Sequence, residues 1–464
     1  ANGKMGMDFD VSAVPRREDG MEPFEVMTSE SQERMLAIVT PEGVDEVMRL
    51  CERWEVQATV VGKVTAPGPD GVGLLRIVDG FGGEVLAQVP ASSLHDAAPL
   101  YDRPRAEPAD LAERRAASPL PPTDATAALL EHLYDTSWVS SQYDHQLFLN
   151  TVEGPGGDAV VLRLKHPVTG DDTGRGLAMT TDGNHRWCAI DPRVGTAQTV
   201  VESVVNLACV GARPIAVVNC LNFGNPEHPE VMWQLSEAID GMSEACGAFG
   251  LPVIGGNVSL YNETGGVDID PTPVIGLLGV VDRLDRRPPG VTMADGDRLL
   301  LLGDDLADRS PSLAGSAVAW TVGHKGGALA PFDGPAATAV ADLVRDLVTG
   351  GALAGVHDVS TGGLAVALGE LTCRSGLGLQ VGGLATTSQL FAEHPGRVVV
   401  AVSADAADGV LERAAAAGVP TASLGIAGGE RFCIEGHVDL AAADVIDAWR
   451  DRLPDTLGSG TVQG

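Results

Sequence analysis

Positive charge is scarce in this 464-residue chain: 31 Lys and Arg stand against 63 Asp and Glu, a formal net charge of −32. Such a balance repels nucleic acid and anionic lipid headgroups, so neither is expected as a partner. A protein this acidic that handles a phosphorylated ligand needs local cations, either bound metal or a few placed basic side chains. Aromatic residues are only 4% of the chain against 44% hydrophobic residues, which implies cores of Val, Leu and Ala. The seven cysteines form no C-x-x-C and sit mostly in apolar runs, a pattern of reduced, buried thiols and hence of a cytoplasmic compartment. No uninterrupted apolar run reaches the ~18 residues of a membrane span, and no signal peptide is visible, so a soluble protein is expected. The phosphate-cradling pattern G-x-x-x-x-G-K-[ST] is also missing, so any nucleotide must be held by other means.

What the chain does have is a polar, glycine-rich stretch from Asn219 to Asn262. It opens N-C-L-N-F-G-N-P after the apolar Pro214–Val218 and closes G-G-N-V-S-L-Y-N after Pro252–Ile254. Short apolar runs of this kind read as buried strands. Between them Pro229 suits the first position of a helix, and Val231, Leu235, Ile239, Met242 and Cys246 trace one apolar face. The expected unit is strand, polar loop, helix, strand, polar loop, with both loops at one sheet edge. Asn219, Asn222 and Asn257 offer amides there, Gly255 and Gly256 permit close approach of a ligand to the backbone, and Asn257 and Ser259 share a strand face. Turn formation alone would explain one such loop, but two in tandem favour a site.

A repeat runs through the chain at an offset of 363 residues. Glu30 matches Glu393, Arg34 matches Arg397, Asp45 matches Asp408, Val56 matches Val419 and Gly62 matches Gly425. Each copy reads strand, helix, strand, turn, with a polar, turn-rich Ala1–Gly20 ahead of the first. A period this long marks a domain duplication rather than a solenoid. The second copy has a preceding half, with a strand at Leu299–Leu302, a helix near Ala336–Val348 and the motif H-D-V-S-T-G-G-L-A-V-A-L from His357. The first copy has no such half, and the expectation is a chain that starts inside a domain.

Residues 96–128 carry six prolines among Ala, Asp and Arg and read as a linker. Strands are expected at Ala159–Leu164, Leu177–Thr181, Trp187–Ile190 and Pro273–Val281, with a helix over Thr196–Val210. Glu202 and Asn206 lie four apart and share a helix face. Together with Asp182 and Asp358 they form a hard-oxygen set suited to Mg2+ and a polyphosphate. A helix cap and solvated carboxylates are the plain alternative. Lys165-His166-Pro167 reads as a solvated turn.

These motifs, with T-D-G-N at Thr181–Asn184, resemble the phosphoribosylformylglycinamidine synthase family in its separate-subunit form. The resemblance covers roughly the last three-fifths of such a ligase. It implies an α+β fold, an internally duplicated PurM-like two-domain unit of mixed sheets with helices packed on them, whose first copy is incomplete. Residues 1–95 would be the C-terminal half of a first C-domain, unrelated to ATP-grasp folds, 96–128 the linker, 129–283 a second N-domain and 284–464 a second C-domain. The implied reaction is ATP-dependent conversion of formylglycinamide ribonucleotide and ammonia to the amidine. Asn219 and Gly256 would contact ATP, Asn257 would bind Mg2+, and Glu30, Ser31, Gln32 and Ser259 would hold substrate. Asp182, Glu202, Asn206, Asp358 and Ser360 would form an auxiliary nucleotide and metal site.

Ammonia would come from a glutaminase partner, with a small bridging subunit. The chain departs from the family in having Asn219 where many relatives have Asp, Ala314 where Gly is usual, and Glu393-His394-Pro395 as the second copy of Glu30-Ser31-Gln32. The family's E-S-H-N-H-P histidine motif is absent, so no catalytic residue is expected in this chain, which by itself should not turn over substrate. Other readings are another enzyme of the superfamily, such as aminoimidazole ribonucleotide or selenophosphate synthetase, or a non-catalytic half that holds a structural nucleotide.

Overall fold

The computed structural model describes residues 5–16, 18–30, 34–95 and 97–458, in two compact units that divide between Asp102 and Arg103. In the first unit a four-stranded sheet runs in the order β2-β1-β3-β4, with β1 at Gly6–Asp10, β2 at Gly62–Thr65, β3 at Leu74–Asp79 and β4 at Glu84–Pro90. β1 falls within the stretch where composition suggests only turns. Its Met7 and Phe9 alternate with Asp8 and Asp10, a short strand pattern that the surrounding polar residues obscure. Asp8 pairs with Arg76 of β3 at 2.6 Å, and buried Asp10 accepts hydrogen bonds from Ser12 and from the Gly80 amide. Helices α1 (Pro23–Thr28) and α2 (Val44–Arg53) complete the unit around a small core of Val11, Val26 and Ile77.

The strand expected to run through Val39 does not form. Residues 34–40 are irregular, and Met35, Leu36 and Ile38 are 94%, 64% and 73% exposed. One repeat later, Val398–Val402 (β16) is fully buried and pairs on one side with β13 (Arg298–Leu302) and on the other with β14 (Gly355–Asp358). A strand's N–H and C=O groups need neighbours, and among the described residues of the first unit this segment has none. The repeat is nonetheless visible in side-chain detail. The Arg34 guanidinium donates to the Ser29 carbonyl and the Arg397 guanidinium to the Ala392 carbonyl, each five residues back.

In the second unit a six-stranded sheet has the order β5-β6-β7-β12-β8-β9: Thr151–Glu153, Val160–Lys165, Asp172–Gly183, Thr272–Val281, Arg213–Asn222 and Val253–Ser259. A hairpin of β10 (Glu263–Thr264) and β11 (Val267–Asp268) follows β9. The other sheet has the order β14-β16-β13-β17-β15-β18-β19, with β15 at Leu379–Val381, β17 at Thr421–Ala427, β18 at Arg431–Ile434 and β19 at Val438–Ala441. The helices are α3 (Leu111–Ala116), α4 (Ala125–His132), α5 (Ser137–Ser141), α6 (His185–Ile190), α7 (Pro192–Cys209), α8 (Pro229–Ala248), α9 (Ala317–Thr321), α10 (Gly334–Gly350), α11 (Gly363–Ser375), α12 (Thr387–Phe391), α13 (Ala407–Ala416) and α14 (Ala442–Thr456).

The central element is α7, which buries residues on every side, as a helix does when it lies inside a domain. It packs on α8 and α10, and one apolar core joins Val200, Val204 and Leu207 to Leu277 of the first sheet and Val398 and Val400 of the second. The segment expected as a strand at Trp187–Ile190 is helix α6. Asn184 caps it by accepting from the Trp187 amide at 3.2 Å, a side-chain signal that outweighs four apolar residues in a row. The proline-rich stretch from residue 103 onward is docked on this unit. Leu111 is buried, Arg115 pairs with Asp191 and Arg114 donates to the Ala189 carbonyl. Lys165–Pro167 is the turn expected, with His166 accepting from the Val168 and Thr169 amides.

Candidate functional site

Two clusters of polar residues form in the second unit. The first lies on β8 and β9, which are parallel neighbours joined by the crossover helix α8. The residues expected in loops belong to the strands themselves: Asn219 stands opposite Gly256, Cys220 opposite Asn257 and Asn222 opposite Ser259. Apolar patterning ends before these strands do, because the polar residues continue the ladder with half-buried side chains and, at Asn257, an exposed one. α8 buries Val231, Leu235, Met242 and Cys246 as the spacing predicts, whereas Ile239 is 44% exposed.

Contacts divide the asparagines. Asn222 donates to the Thr272 and Cys220 carbonyls, and Asn262 donates to those of Phe223 and Ser259, so both brace the backbone. The Ser259 hydroxyl meets the Asn262 amide group at 3.1 Å. Among the described residues Asn219 reaches only the Met242 sulfur, at 3.4 Å, and exposed Asn257 only the Cys220 sulfur, at 3.7 Å. Their amides keep capacity for a ligand. Glycine is required at 256, where a Cβ would stand 2.3 Å from Asn219 Oδ1. Gly255 faces open space. Among the described residues β9 pairs with β8 alone, and Val253, Ile254 and Val258 on it are 47%, 65% and 56% exposed. Glu30, in the first unit, is exposed, and Ser31 and Gln32 lie outside the described residues.

The second cluster brings together all four acidic and amide residues that the sequence suggests, from β7, α7 and β14. Asn206 Nδ2 donates to Asp182 Oδ1 at 2.9 Å, and Thr180 donates to Asp182 Oδ2 at 2.8 Å. Burial raises the Asp182, Glu202 and Asp358 carboxyls above the ordinary carboxylate range, and mutual repulsion adds to it. Ser360, half-buried, begins the glycine turn ahead of α11 and accepts the Gly363 amide at 3.0 Å.

Sequence reasoning missed three members. His357 Nδ1 meets Asp158 at 2.6 Å and His357 Nε2 meets Glu370 at 2.8 Å, so the ring donates on both sides. Burial works against its charge, but the two carboxylates outweigh it and hold the ring's pKa well above the ordinary value. Ligand atoms of Asp158, His357 and Asp358 lie within 4.8 Å of one another. With both nitrogens engaged, His357 serves this group as a countercharge rather than a metal ligand. The only advance signal was the His-Asp pair at the end of an apolar run; Asp158 and Glu370 had none.

A hard divalent cation fits this set. Asn206 Oδ1 is buried without a partner while its nitrogen is committed to Asp182, leaving the oxygen free for a cation beside Glu202 and Asp358. Oxygen-only donors with excess negative charge suit Mg2+. Among the described residues no helix is long and apolar enough to cross a membrane.

The domain models of the AIR synthase related family match this chain, the N-terminal type at residues 156–281 and the C-terminal type twice over, at 1–74 and 294–432. The double match coincides with the 363-residue repeat. Curated relatives include the phosphoribosylformylglycinamidine synthase subunit PurL of Moorella thermoacetica, 42% identical over 98% of this chain and 62% of the relative, and that of Thermobifida fusca, 39% identical over 99% and 61%. The chain thus spans about three-fifths of the length of the relatives it matches. In fold it is similar to Thermotoga maritima PurL, including structures described as complexed with AMPPCP and with FGAR, at TM-scores of 0.62 and 0.61, 24% identity and 92% coverage of this chain. The chain therefore belongs to the AIR synthase related family, and the curated relatives it matches are PurL-type phosphoribosylformylglycinamidine synthase subunits.

Proposed function

We propose that this chain contributes one wall of the active site of an ATP-dependent ligase that converts formylglycinamide ribonucleotide and ammonia to the amidine in cytoplasmic purine synthesis. The observation that carries the reading is the parallel register that sets Asn219 of β8 opposite Gly256 and next to Asn257 on the edge strand β9, each amide with a sulfur as its sole hydrogen-bond partner among the described residues. Asn219 and the Gly256 backbone would receive ATP, Asn257 the Mg2+ and Ser259 the substrate; Glu30, Ser31 and Gln32 would likewise bind substrate. The substrate's amide oxygen takes the γ-phosphoryl group and releases ADP. Ammonia then adds to that carbon, and the C–O bond breaks with loss of phosphate. Bound Mg2+ would neutralise the transferred phosphoryl group. The amides here orient the reactants and supply dipoles that favour the transition state.

Ammonia would be delivered by a glutaminase subunit with a small bridging subunit, as separate-subunit synthases require. The test is the full-length protein with ammonium, ATP, Mg2+ and formylglycinamide ribonucleotide: ADP, phosphate and amidine should appear in equal amounts. ATP hydrolysis uncoupled from substrate would reject the reading.

The second cluster supports a further ligand, an auxiliary nucleotide held through Mg2+ by Asp182, Glu202, Asn206 and Asp358, with Ser360 touching the nucleotide. The orphaned Asn206 oxygen favours it.

A further inference from the structure

The loops that leave the carboxyl ends of β8 and β9 are bound into one assembly. The Phe223 amide donates to the Ser259 carbonyl at 3.0 Å, and the Tyr261 amide donates to the Gly224 carbonyl at 2.9 Å. Asp268, on β11, joins them. One of its oxygens accepts from the Asn225 amide at 2.7 Å, and the other meets His228 Nδ1 at 2.7 Å. A Cβ at Gly224 would stand 2.4 Å from the Asp268 carboxylate, so the loop is pressed onto that group. Burial works against ionisation of Asp268, but the Asn225 amide and His228 hold its carboxyl below the ordinary range. An ionised carboxylate only accepts, so Nδ1 carries the ring proton and Nε2 of the neutral ring presents a lone pair. His228 stands at the N-cap position of α8 with its side chain 59% exposed. Its Nε2 has no hydrogen-bond partner among the described residues.

A carboxylate on one imidazole nitrogen and an open second nitrogen is the arrangement of an oriented base. The ligase reaction needs such a base. Ammonia that adds to carbon carries a proton that must leave, and the amides and hydroxyl of Asn219, Asn257 and Ser259 are too weakly basic to take it. Along the paired strands the proposed ligands follow in order: ATP at Asn219 and Gly256, Mg2+ at Asn257, substrate at Ser259. The loop with His228 comes next, outside the carboxyl ends of parallel strands, where α/β units place their ligands. We infer that His228, oriented by Asp268, accepts the proton from the attacking ammonia. The nitrogen lone pair forms the new C–N bond, one N–H proton passes to Nε2, and the C–O bond breaks with its electron pair on the departing phosphate. Asp268 steadies the imidazolium, which gives its proton to water through its exposed face. The role rests on reading the β8–β9 edge as the ligase site, and it gives this chain a catalytic residue although the histidine motif is absent.

The test is single-turnover kinetics of the full-length protein with ammonium, ATP, Mg2+ and formylglycinamide ribonucleotide, following ADP and amidine separately. His228→Gln keeps a donor for Asp268 but cannot take a proton. It should leave the ADP burst within about threefold of wild type while amidine formation slows by about 100-fold or more, the scale of a lost general base. In His228→Ala, added imidazole should restore amidine formation by about tenfold or more, because the exposed face admits a free base. A residue that only clasps the loop would slow both steps together and gain nothing from imidazole. Amidine formation near the wild-type rate in His228→Gln, equal slowing of ADP and amidine, or no rescue of His228→Ala overturns the inference; the alanine variant decides if the glutamine variant does not fold. Should Asn257→Ala also leave turnover unchanged, the site reading itself fails, whereas slowing in Asn257→Ala without slowing in His228→Gln removes the base alone.

Discussion

Asn257 makes one weak contact and is exposed, so removing its amide should cost little stability. In the full-length protein Asn257→Ala should lower kcat by at least about 100-fold, the scale of a lost preorganised polar group, while the melting temperature stays within about 1 °C because a surface substitution of this kind changes stability by under about 0.5 kcal/mol. Steady-state kinetics beside a thermal melt checks both, and near-normal turnover removes Asn257 from the site. Asparagine and glycine enrichment was legible in the sequence, as was the pairing of the two segments. Which asparagines are free was not. Asn222 and Asn262 are consumed by backbone carbonyls, two of them on segments 50 and 39 residues away. The same holds in the acidic cluster, where Asp158 meets His357 across 199 residues.

Where α7 begins it crosses α8 at Gly241, and a Cβ there would stand 2.0 Å from the Arg193 carbonyl oxygen. Alanine gains about 1 kcal/mol in helix propensity, but an overlap with main chain cannot be relieved by a rotamer change, and overpacking costs about 1–3 kcal/mol. Gly241→Ala should therefore destabilise the protein by about 1 kcal/mol net, read as a lower urea midpoint at unchanged slope; a stabilised variant would show that α8 slides freely on α7. Helices with a clear 3.6-residue period, α8 and α10, were legible to within a few residues. α6 was not, because six residues hold less than two turns of pattern and the deciding signal was the Asn184 cap. Nor was the fate of Met35–Val39. Strand propensity is a property of the segment, whereas strand formation requires a neighbour, and the copy at Val398–Val402 has two.

Over the whole molecule, a net charge of −32 sets the terms on which its buried carboxylates exist. Asp182, Glu202 and Asp358 have raised pKa values, so without metal the stability they allow is complete below the ordinary carboxylate range and falls as pH rises through the raised values. Mg2+ binds the ionised set and returns that loss. The rise in melting temperature on adding Mg2+ should accordingly be larger at pH 8 than at pH 5.5, and Asn206→Leu should shrink it at pH 8; an equal or reversed dependence would dissociate the cluster from the metal. The duplication was legible because it preserves register over tens of residues, and the domain-model matches bear it out.

The twin guanidinium fasteners at Arg34 and Arg397 give that ancestry a practical use. Each grips main chain five residues back, and a carbonyl is present whichever side chain stands at the accepting residue, Ser29 in one copy and Ala392 in the other. Substituting either accepting residue should therefore leave its fastener in place, so the two halves of the duplication are free to diverge at Ser29 and Ala392 without losing the hold.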